Sequence, residues 1–248
     1  MIEPGKSLRV PELSRHFGVS EMTIRRDLAE LGSDGLLQRV HGGAVARPVV
    51  GGGRTPFEVR QTENADAKRA IARAVVDLIA DGETVLLDIG TTCLYVASEL
   101  RRRSGLVVVT SSINAALEVA SHTPHQAILL GGHVHGSSEE SVVGPAAIEA
   151  VRQYRVDKLI LGAGGITLDR GFVYFDPQEV EVRRAMLEVS AQAIVAADHS
   201  KFGSDSLVAL APLERAAVIV TDRPPEPVFE AELRRHQVRL ITADYGWR

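Results

Sequence analysis

Residues 18–45 read GVSEMTIRRDLAELGSDGLLQRVHGGAV, and this stretch decides how the N-terminal part of the chain folds. Ser20 suits the N-cap of a helix because its hydroxyl can accept a hydrogen bond from the first turn. The preceding segment VPELSRHF predicts a shorter helix over 10–17, and Gly18 predicts the tight turn between the two helices. The apolar residues of the second helix recur at helical spacing and predict a buried stripe: Ile24, Leu28 and Leu31.

The opposite face of the second helix carries polar and basic side chains. At about 100° per residue, Arg26 and Met22 point away from the apolar stripe. Arginine can donate to guanine or phosphate, and threonine can contact a thymine methyl or a phosphate. Two arginines alone are more often a solvated helix face, but helix, turn, helix and a glycine hairpin together favour a DNA recognition helix. The DNA contacts expected on this helix are Ser20, Met22, Thr23, Arg25 and Arg26.

The segment that follows, LLQRVHGGAV at 36–45, predicts a β-hairpin with a glycine turn. A hairpin next to a recognition helix can serve as a wing that lies against the DNA backbone. Arg39 and His41 would then reach phosphates.

Composition limits the function classes. The chain has 248 residues, a net charge of −4 and 45% hydrophobic residues, which fits one large or two modest globular domains. No apolar run approaches the roughly 18–20 residues of a membrane span, and the N-terminus lacks the apolar block of a signal peptide. The single cysteine, Cys93, rules out an internal disulfide and fits the reducing cytoplasm, where we expect the protein.

Glycines mark the expected domain boundary. The run GGGRTP at 51–56 cannot hold regular structure, so we assign 1–50 to a winged helix-turn-helix domain, 51–57 to a linker and 58–248 to a second domain. Beyond it, Val/Ile/Leu-rich runs alternate with helical patterns, which predicts a mostly parallel α/β sheet covered on both faces. The predicted strands are 84–88, 106–110, 126–130, 157–161, 192–198, 216–220 and 238–242, and the predicted helices are 64–80, 92–102, 113–121, 177–189 and 227–236.

The first predicted strand of the second domain runs into Asp88-Ile89-Gly90-Thr91-Thr92, and a helix follows. A glycine allows a tight turn, and two hydroxyls with the free N–H groups of a helix start can hold a phosphate. An ordinary strand–helix turn explains the same residues about equally well. The segment is not a Walker loop, because it has no Gly-Lys-Ser/Thr.

Three more polar or glycine-rich loops follow other predicted strands, so they should meet at the carboxyl edge of the sheet, where open parallel sheets bind ligands. Thr167 stands where a dinucleotide fingerprint needs glycine, so we expect no NAD site and no other cofactor. His133 and His135 lack a third ligand, and we expect no metal. A phosphorylated sugar fits the donors and acids in these loops, and the expected contacts are Ser112, Asn114, Gly162, Gly164, Asp198 and Lys201.

The segment 18–44 resembles the signature of the DeoR-type family of bacterial transcriptional regulators. The downstream motifs DIGTT, TSSINAA, GGHVHGSSEESVVGPAA, DKLILGAGGI and ADHSKFG resemble the C-terminal sensor domain of the same family. The resemblance implies a sensor fold similar to ribose-5-phosphate isomerase and glucosamine-6-phosphate deaminase. It also implies a phosphate loop at Asp88, Gly90, Thr91 and Thr92, with Lys201 facing the sugar.

Two further positions are implied by the same resemblance. Glu181 in EVEVRRAM matches an acid of the family near the site. Arg183 stands where the family more often has lysine, which keeps a charge but changes its geometry.

The resemblance implies a repressor of a carbohydrate-catabolism operon that binds double-stranded operator DNA and is relieved by a phosphorylated sugar. A homo-oligomer, at least a dimer, is expected because one winged helix reads too few base pairs. The alternative is a sugar-phosphate isomerase or deaminase, but an enzyme has no use for a DNA-reading module. The family usually has one more helix before 8–17. Here too few residues precede 8–17 for that helix. Either the start site has been placed too far downstream, or the winged helix lacks its first helix, which would expose part of the apolar stripe and weaken or abolish DNA binding.

Overall fold

The computed structural model describes residues 7–33, 38–40, 43–45, 57–135 and 141–243. The chain divides into two compact units, Met1–Thr55 and Pro56–Arg248. Of the expected linker 51–57, only Phe57 is among the described residues. None of the described helices is long and apolar enough to cross a membrane.

The first unit contains the predicted helix–turn–helix and hairpin. Its helices and strands are β1 (Ser7–Arg9), α1 (Val10–Phe17), α2 (Glu21–Ser33), β2 (Gln38–Val40) and β3 (Gly43–Val45). The helix predicted over 10–17 is confirmed, and it ends at Gly18, whose φ of 66° favours glycine. The predicted hairpin is confirmed by the antiparallel pairing of Val40 with Gly43, and β1 extends it to three strands in the order β1-β3-β2.

The apolar stripe of α2 packs against α1. Ile24 and Leu28 are 5% and 6% exposed and form a small core with Val10, against which Leu13 packs. The exposure that we expected for a winged helix lacking a first helix is therefore not seen at these two positions. Leu31 lies in α2, but its side chain is outside the described part of the structure.

The second unit is built on a parallel sheet. Its strands are β4 (Thr84–Leu87), β5 (Val107–Thr110), β6 (Gln126–Leu129), β7 (His133–His135), β8 (Ser141–Val143), β9 (Val156–Gly162), β10 (Gly165–Thr167), β11 (Gly171–Tyr174), β12 (Ser190–Ala196), β13 (Val208–Ala211), β14 (Val218–Thr221) and β15 (Arg239–Thr242). Seven of them form one sheet in the order β15-β14-β12-β9-β4-β5-β6, with every neighbouring pair parallel. All seven strands predicted from the sequence belong to this sheet, so the predicted fold class is confirmed.

Helices cover both faces of the sheet. They are α3 (Phe57–Thr62), α4 (Ala65–Val76), α5 (Thr91–Glu99), α6 (Ile113–His122), α7 (Pro145–Arg152), α8 (Pro177–Val189) and α9 (Pro227–Arg235), with short 3-10 helices at Leu100–Arg102, His199–Lys201 and Leu213–Arg215. One apolar core joins α4, α5 and α6 to one face of the sheet, and a second joins α7, α8 and α9 to the other face. Because both faces are buried, the strands carry the near-continuous Val/Ile/Leu runs seen in the sequence.

The order of the strands locates a crevice. The chain enters the sheet at β4, runs outward through β5 to β6, then returns to β9 on the other side of β4. The direction of winding thus reverses between β4 and β9. In open parallel sheets such a reversal leaves a gap between the loops at the carboxyl ends of the two strands.

Two additions to the sheet were not predicted. β10, β11 and β13 form a small antiparallel sheet, and β7 pairs with β8. These strands have only three or four residues, too few for the alternation of apolar and polar residues that identifies a strand in a sequence.

Candidate functional site

The crevice between β4 and β9 is organised by Asp88, which directly follows β4. Its side chain is 1% exposed, and its Oδ2 accepts a hydrogen bond from the backbone N–H of Gly162 at 3.2 Å. Its own backbone N–H donates to the carbonyl of Ile160 at 2.9 Å. The carboxylate is therefore fixed at the end of the neighbouring strand, as the loop predictions for Asp88 and Gly162 required.

Arg183 of α8 joins Asp88 to a second acid. Its Nε lies 2.9 Å from Asp88 Oδ2, and its Nη1 lies 3.3 Å from Glu179 Oε2. All three side chains are at most 2% exposed. The guanidinium also lies 4.2 Å from the centre of the Tyr174 ring, a cation–π arrangement that a lysine would not fill in the same planar way. We call Asp88, Glu179 and Arg183 the inner cluster.

The expectation for Glu181 is corrected by this geometry. Glu181 is 56% exposed and pairs with Arg184 on the outer face of α8. Glu179 is the acid that shares a face with Arg183, because residues four apart in a helix lie one above the other and residues two apart do not. The sequence contained this signal, since Glu179 and Arg183 are spaced i, i+4 among buried apolar residues of α8.

The predicted phosphate loop lies at the start of α5. Gly90 has φ 109° and is the N-cap of the helix, and Thr91 and Thr92 form its first turn. Among the described residues no side chain caps this helix start. By contrast, Ser112 caps α6 through Ala115 N–H at 3.1 Å. An uncapped helix start leaves N–H donors and the positive end of the helix dipole available for an anion.

Three other predicted contacts have structural roles or lie elsewhere. Ser112 is occupied as the cap of α6. Gly164 lies so close to β11 that a Cβ would come within 2.5 Å of the Val173 carbonyl oxygen. Asn114 lines a separate groove of about 430 Å³, together with Phe57 and Leu117 among other residues. Ser112 and Gly164 therefore have structural roles in the described chain, and Asn114 lines a different groove.

A second group of charges lies around Asp198, two residues after β12. Its side chain is 2% exposed, and Oδ1 accepts hydrogen bonds from Ser200 N–H at 3.0 Å and from Asn64 Nδ2 at 3.2 Å. Burial opposes ionisation, but the hydrogen bond from Ser200 and the charges of Lys201 and Lys68 outweigh it and lower the pKa of Asp198. Asp198 is thus ionised, and hydrogen bonds from Ser200 and Asn64 already use part of the accepting capacity of its carboxylate.

Lys68 of α4 belongs to this group and was missed from the sequence. It is 4% exposed, and its Nζ donates to the carbonyl of Arg60. Burial lowers its pKa to about 8, Lys201 adds to the lowering and Asp198 opposes it. The missed signal is a lysine on the apolar stripe of α4, at i, i+3 and i+7 with Ile71 and Val75.

We call Asn64, Lys68, Asp198 and Lys201 the outer cluster. Unlike the inner cluster, it includes an exposed amide, at Asn64, and a partly exposed ammonium, at Lys201. A ligand can therefore reach these two groups. The outer cluster offers a carboxylate that accepts hydrogen bonds from hydroxyls and ammonium groups that attract an anion.

The histidines of the predicted His-x-His pair do not act together. His135 bonds to Asp176 at 2.7 Å through Nε2, whereas His133 is exposed. No group of three or more His, Cys, Asp or Glu residues that could hold a metal is found in the described part of the chain. Cys93 of α5 is buried in the core, with its Sγ 3.9 Å from the Ile160 carbonyl oxygen.

The predicted recognition helix presents its polar residues outward. Ser20 Oγ accepts a hydrogen bond from Thr23 N–H at 3.2 Å, so the predicted N-cap is confirmed. Met22 is 77% exposed, and Arg25 pairs with Glu21 at 3.2 Å on the surface. Thr23 and Arg26 are also exposed. Arg39 lies in β2 without a described side chain, and His41 lies outside the described residues.

Two family profiles match the chain. The profile described as DeoR-like helix-turn-helix domain matches residues 1–47, and that described as DeoR C terminal sensor domain matches residues 63–223.

Three similar proteins are named as repressors. Transcriptional repressor AccR of Agrobacterium fabrum is 39% identical over 96% of this chain and 92% of its own length. The glycerol-3-phosphate regulon repressor of Escherichia coli K12 is 37% identical over 92% of this chain and 90% of its own. The HTH-type transcriptional repressor CsqR of the same strain is 32% identical over 94% and 88%.

Among solved structures, a ribose 5-phosphate isomerase A from Methanocaldococcus jannaschii matches with a TM-score of 0.42 and 18% identity. The match covers 56% of this chain and 55% of that one, about half of each.

Proposed function

Because the chain belongs to the DeoR family of transcriptional regulators, we propose that it is a repressor of a carbohydrate-catabolism operon, released from its operator by a phosphorylated sugar or polyol. One observation carries the effector half of this proposal. Helix α5 starts uncapped at the point where the sheet reverses its winding, next to Asp88. The close relatives are repressors rather than enzymes, so the isomerase alternative is not retained.

The proposed effector uses the phosphate loop and the outer cluster. Its phosphate accepts hydrogen bonds from the N–H groups and hydroxyls of Gly90, Thr91 and Thr92. Its hydroxyls donate to Asp198, and Lys201 supplies a positive charge. Since a ligand shifts an equilibrium only through contacts that differ between two states, these contacts must be made more strongly in the form with low operator affinity. Coupling of this kind is worth about 1–3 kcal/mol, or roughly 5–150-fold in affinity.

The proposed DNA contacts come from the exposed face of α2. Arg26 and Thr23 would meet base edges or phosphates in the major groove, with Ser20, Met22 and Arg25 beside them. Arg39 and His41 of the hairpin would contact phosphates. An oligomer, at least a dimer, would place two such helices on paired half-sites.

The test is a fluorescence anisotropy titration of the full chain on DNA from upstream of its own coding sequence, at fixed and stated salt. The titration is repeated with glycerol 3-phosphate, ribose 5-phosphate, glucosamine 6-phosphate and inorganic phosphate. We expect specific binding that one organic phosphate weakens at least fivefold. Turnover of an organic phosphate without specific DNA binding would refute the proposal.

An arginine variant tests the DNA contact separately. Arg26→Ala should weaken operator binding and reduce the slope of log K against log salt by about 1, if the side chain contacts one phosphate. Arg101→Ala, an exposed arginine of the second unit, serves as the matched control and should leave binding unchanged. Equal effects of the two variants on operator binding would show that α2 is not the recognition helix.

A further inference from the structure

Helix α3 is the element at which the chain enters the second unit after the winged helix. It has six residues, none of them buried, so its own packing holds it weakly. Two carbonyls of its last turn are held by side chains from other helices. Tyr95 of α5 donates from its hydroxyl to the Gln61 carbonyl at 3.2 Å, and Lys68 of α4 donates to the Arg60 carbonyl.

A third contact holds the turn between α3 and α4. Asn64 in this turn has φ 51°, a left-handed conformation that asparagine adopts more readily than most residues. Its Nδ2 donates to Asp198 Oδ1 at 3.2 Å. The backbone geometry and the side-chain hydrogen bond of Asn64 therefore fix the orientation of α3 relative to α4.

Two of the three contacts involve the outer cluster, and the third comes from α5, the helix whose start carries the proposed phosphate loop. Tyr95 lies one turn after Gly90 at the start of α5. Asp198 and Lys201 belong to the same tight turn, closed by the Lys201 N–H to Asp198 carbonyl bond at 3.0 Å. The charges of both Asp198 and Lys201 act on Lys68.

We propose that the effector and α3 compete for the same atoms of the outer cluster, so that effector binding frees α3 and thereby lowers operator affinity. This inference rests on the proposed function and adds its regulation. A sugar hydroxyl that donates to Asp198 Oδ1 replaces Asn64. The negative charge of the effector's phosphate attracts Lys68 and draws its ammonium away from the Arg60 carbonyl.

Competition for the same atoms fixes the sign of the coupling. The state with α3 held is the state that binds the operator, and the liganded state has lost at least one of the three contacts. Removing a contact by mutation therefore imitates the effector in part. Because the change shifts the population towards the form that binds the effector, the same variant should also bind the effector more tightly, by a factor that depends on the starting population of that form.

Two conservative variants remove single contacts. Asn64→Gly deletes the amide but keeps the left-handed backbone accessible, and Tyr95→Phe deletes only the hydroxyl. In the full chain, operator affinity is measured by anisotropy without effector, and effector affinity by calorimetry with the organic phosphate that releases the wild type. We expect each variant to lose operator affinity and to gain effector affinity, each by about 3–10-fold.

Matched controls exist for both changes. Gln237 is the other residue with a positive φ among the described non-glycine positions, at 57°, and Tyr154 is a partly buried tyrosine of the other core. Gln237→Gly and Tyr154→Phe should leave both affinities unchanged. A folded Asn64→Gly or Tyr95→Phe protein with wild-type values for both affinities overturns the inference, and so does a parallel loss of both, because damage to the fold would cause that.

Hydrogen–deuterium exchange separates this inference from the proposed function. The peptide covering α3 should exchange faster in Asn64→Gly and Tyr95→Phe than in the wild type, without DNA or effector. Unchanged exchange refutes the inference even when the wild-type protein binds DNA and responds to an organic phosphate. A wild-type protein that binds no DNA, or that no organic phosphate releases, refutes the proposed function and the inference with it.

Discussion

The inner and outer clusters lie at the same edge of the same sheet, and both combine acidic and basic side chains, yet they differ in access and in partners. Arg183 in the inner cluster contacts two carboxylates and an aromatic ring, and both carboxylates are buried. In the outer cluster, Asp198 is held by donors from two separate loops, and Lys68 donates to a backbone carbonyl.

This difference separates a structural role from a responsive one. Ion pairs that are fully buried are costly to break, because the remaining charge stays in a medium that solvates it poorly. Asp198 and Lys68 make neutral contacts with Asn64 and a carbonyl, which a ligand can replace with comparable ones. We infer that the inner cluster fixes the shape of the crevice and the outer cluster changes partners on binding.

The largest effect should follow from breaking the inner cluster. Arg183→Met leaves Asp88 and Glu179 buried without their shared cation and should lower the free energy of unfolding by about 3–5 kcal/mol. Urea denaturation followed by circular dichroism measures this loss.

The control for this prediction is Arg152→Met. Arg152 is 49% exposed and pairs with Glu149 and Glu188 on the surface of α7, where an ion pair is worth about 0–1 kcal/mol. If Arg183→Met costs no more than Arg152→Met, the inner cluster does not have the structural role assigned to it.

Much of this architecture follows from sequence pattern. The seven strands of the large sheet and the helix at 177–189 were predictable because burial on both faces makes strands uniformly apolar, and because Pro177 marks the first turn of a regular helix. The carboxyl-edge rule then placed Asp88, Gly162 and Asp198 in neighbouring loops.

The sequence could not assign the partners within those loops. A serine such as Ser112 suits a ligand contact as well as a helix cap, and a glycine such as Gly164 suits a ligand loop as well as a close backbone contact. Only the fold distinguishes these uses. Glu181 and Glu179 differ by two positions, so only the direction of the helix face decides which one is buried. Lys68 lies 130 positions before Asp198, and no local pattern links the two residues.

The second largest effect concerns the loop that leads out of the inner cluster. Gly90 has φ 109° and ψ 162°, a region that side chains with a Cβ avoid. Gly90→Ala should cost about 1–3 kcal/mol of stability through backbone strain, and should weaken effector binding because the start of α5 is displaced. Chemical denaturation and calorimetry measure the two effects. Gly131→Ala is the control, since a Cβ there meets no atom within 4 Å, and it should change neither value.

In the outer cluster, by contrast, a substitution should affect effector binding more than stability. Lys201 is partly exposed, so its charge interaction with Asp198 is weak and Lys201→Met should lower the unfolding free energy by less than about 1 kcal/mol. Loss of its charge should weaken effector binding about tenfold, the size of one charge-assisted hydrogen bond. Lys158→Met, at the opposite end of β9 beside Glu83, should leave effector binding unchanged. A large loss of stability in Lys201→Met would contradict the distinction between the clusters.

The smallest effect is a pH dependence of the outer cluster. Burial lowers the pKa of Lys68 to about 8 from 10.5, and the charged groups that act on it are Asp198, Lys201, Glu63 and Arg60. Lys68 is therefore mostly charged at pH 7 and mostly neutral at pH 9. A phosphate ester, with a second pKa near 6, keeps its charge across this range.

Effector binding by the wild type should therefore weaken from pH 7 to pH 9 by roughly threefold, since a partly screened charge interaction is worth about 0.2–1 kcal/mol. Stability should move the other way. The folded chain holds fewer protons than the unfolded chain between pH 8 and 10.5, so the contribution of Lys68 to the unfolding free energy rises with pH through that window. Calorimetry across this range, with Lys68→Met beside the wild type, isolates the group. An equally steep pH dependence in Lys68→Met would show that another group is responsible. Lys68 would then have a structural role, like the charges of the inner cluster.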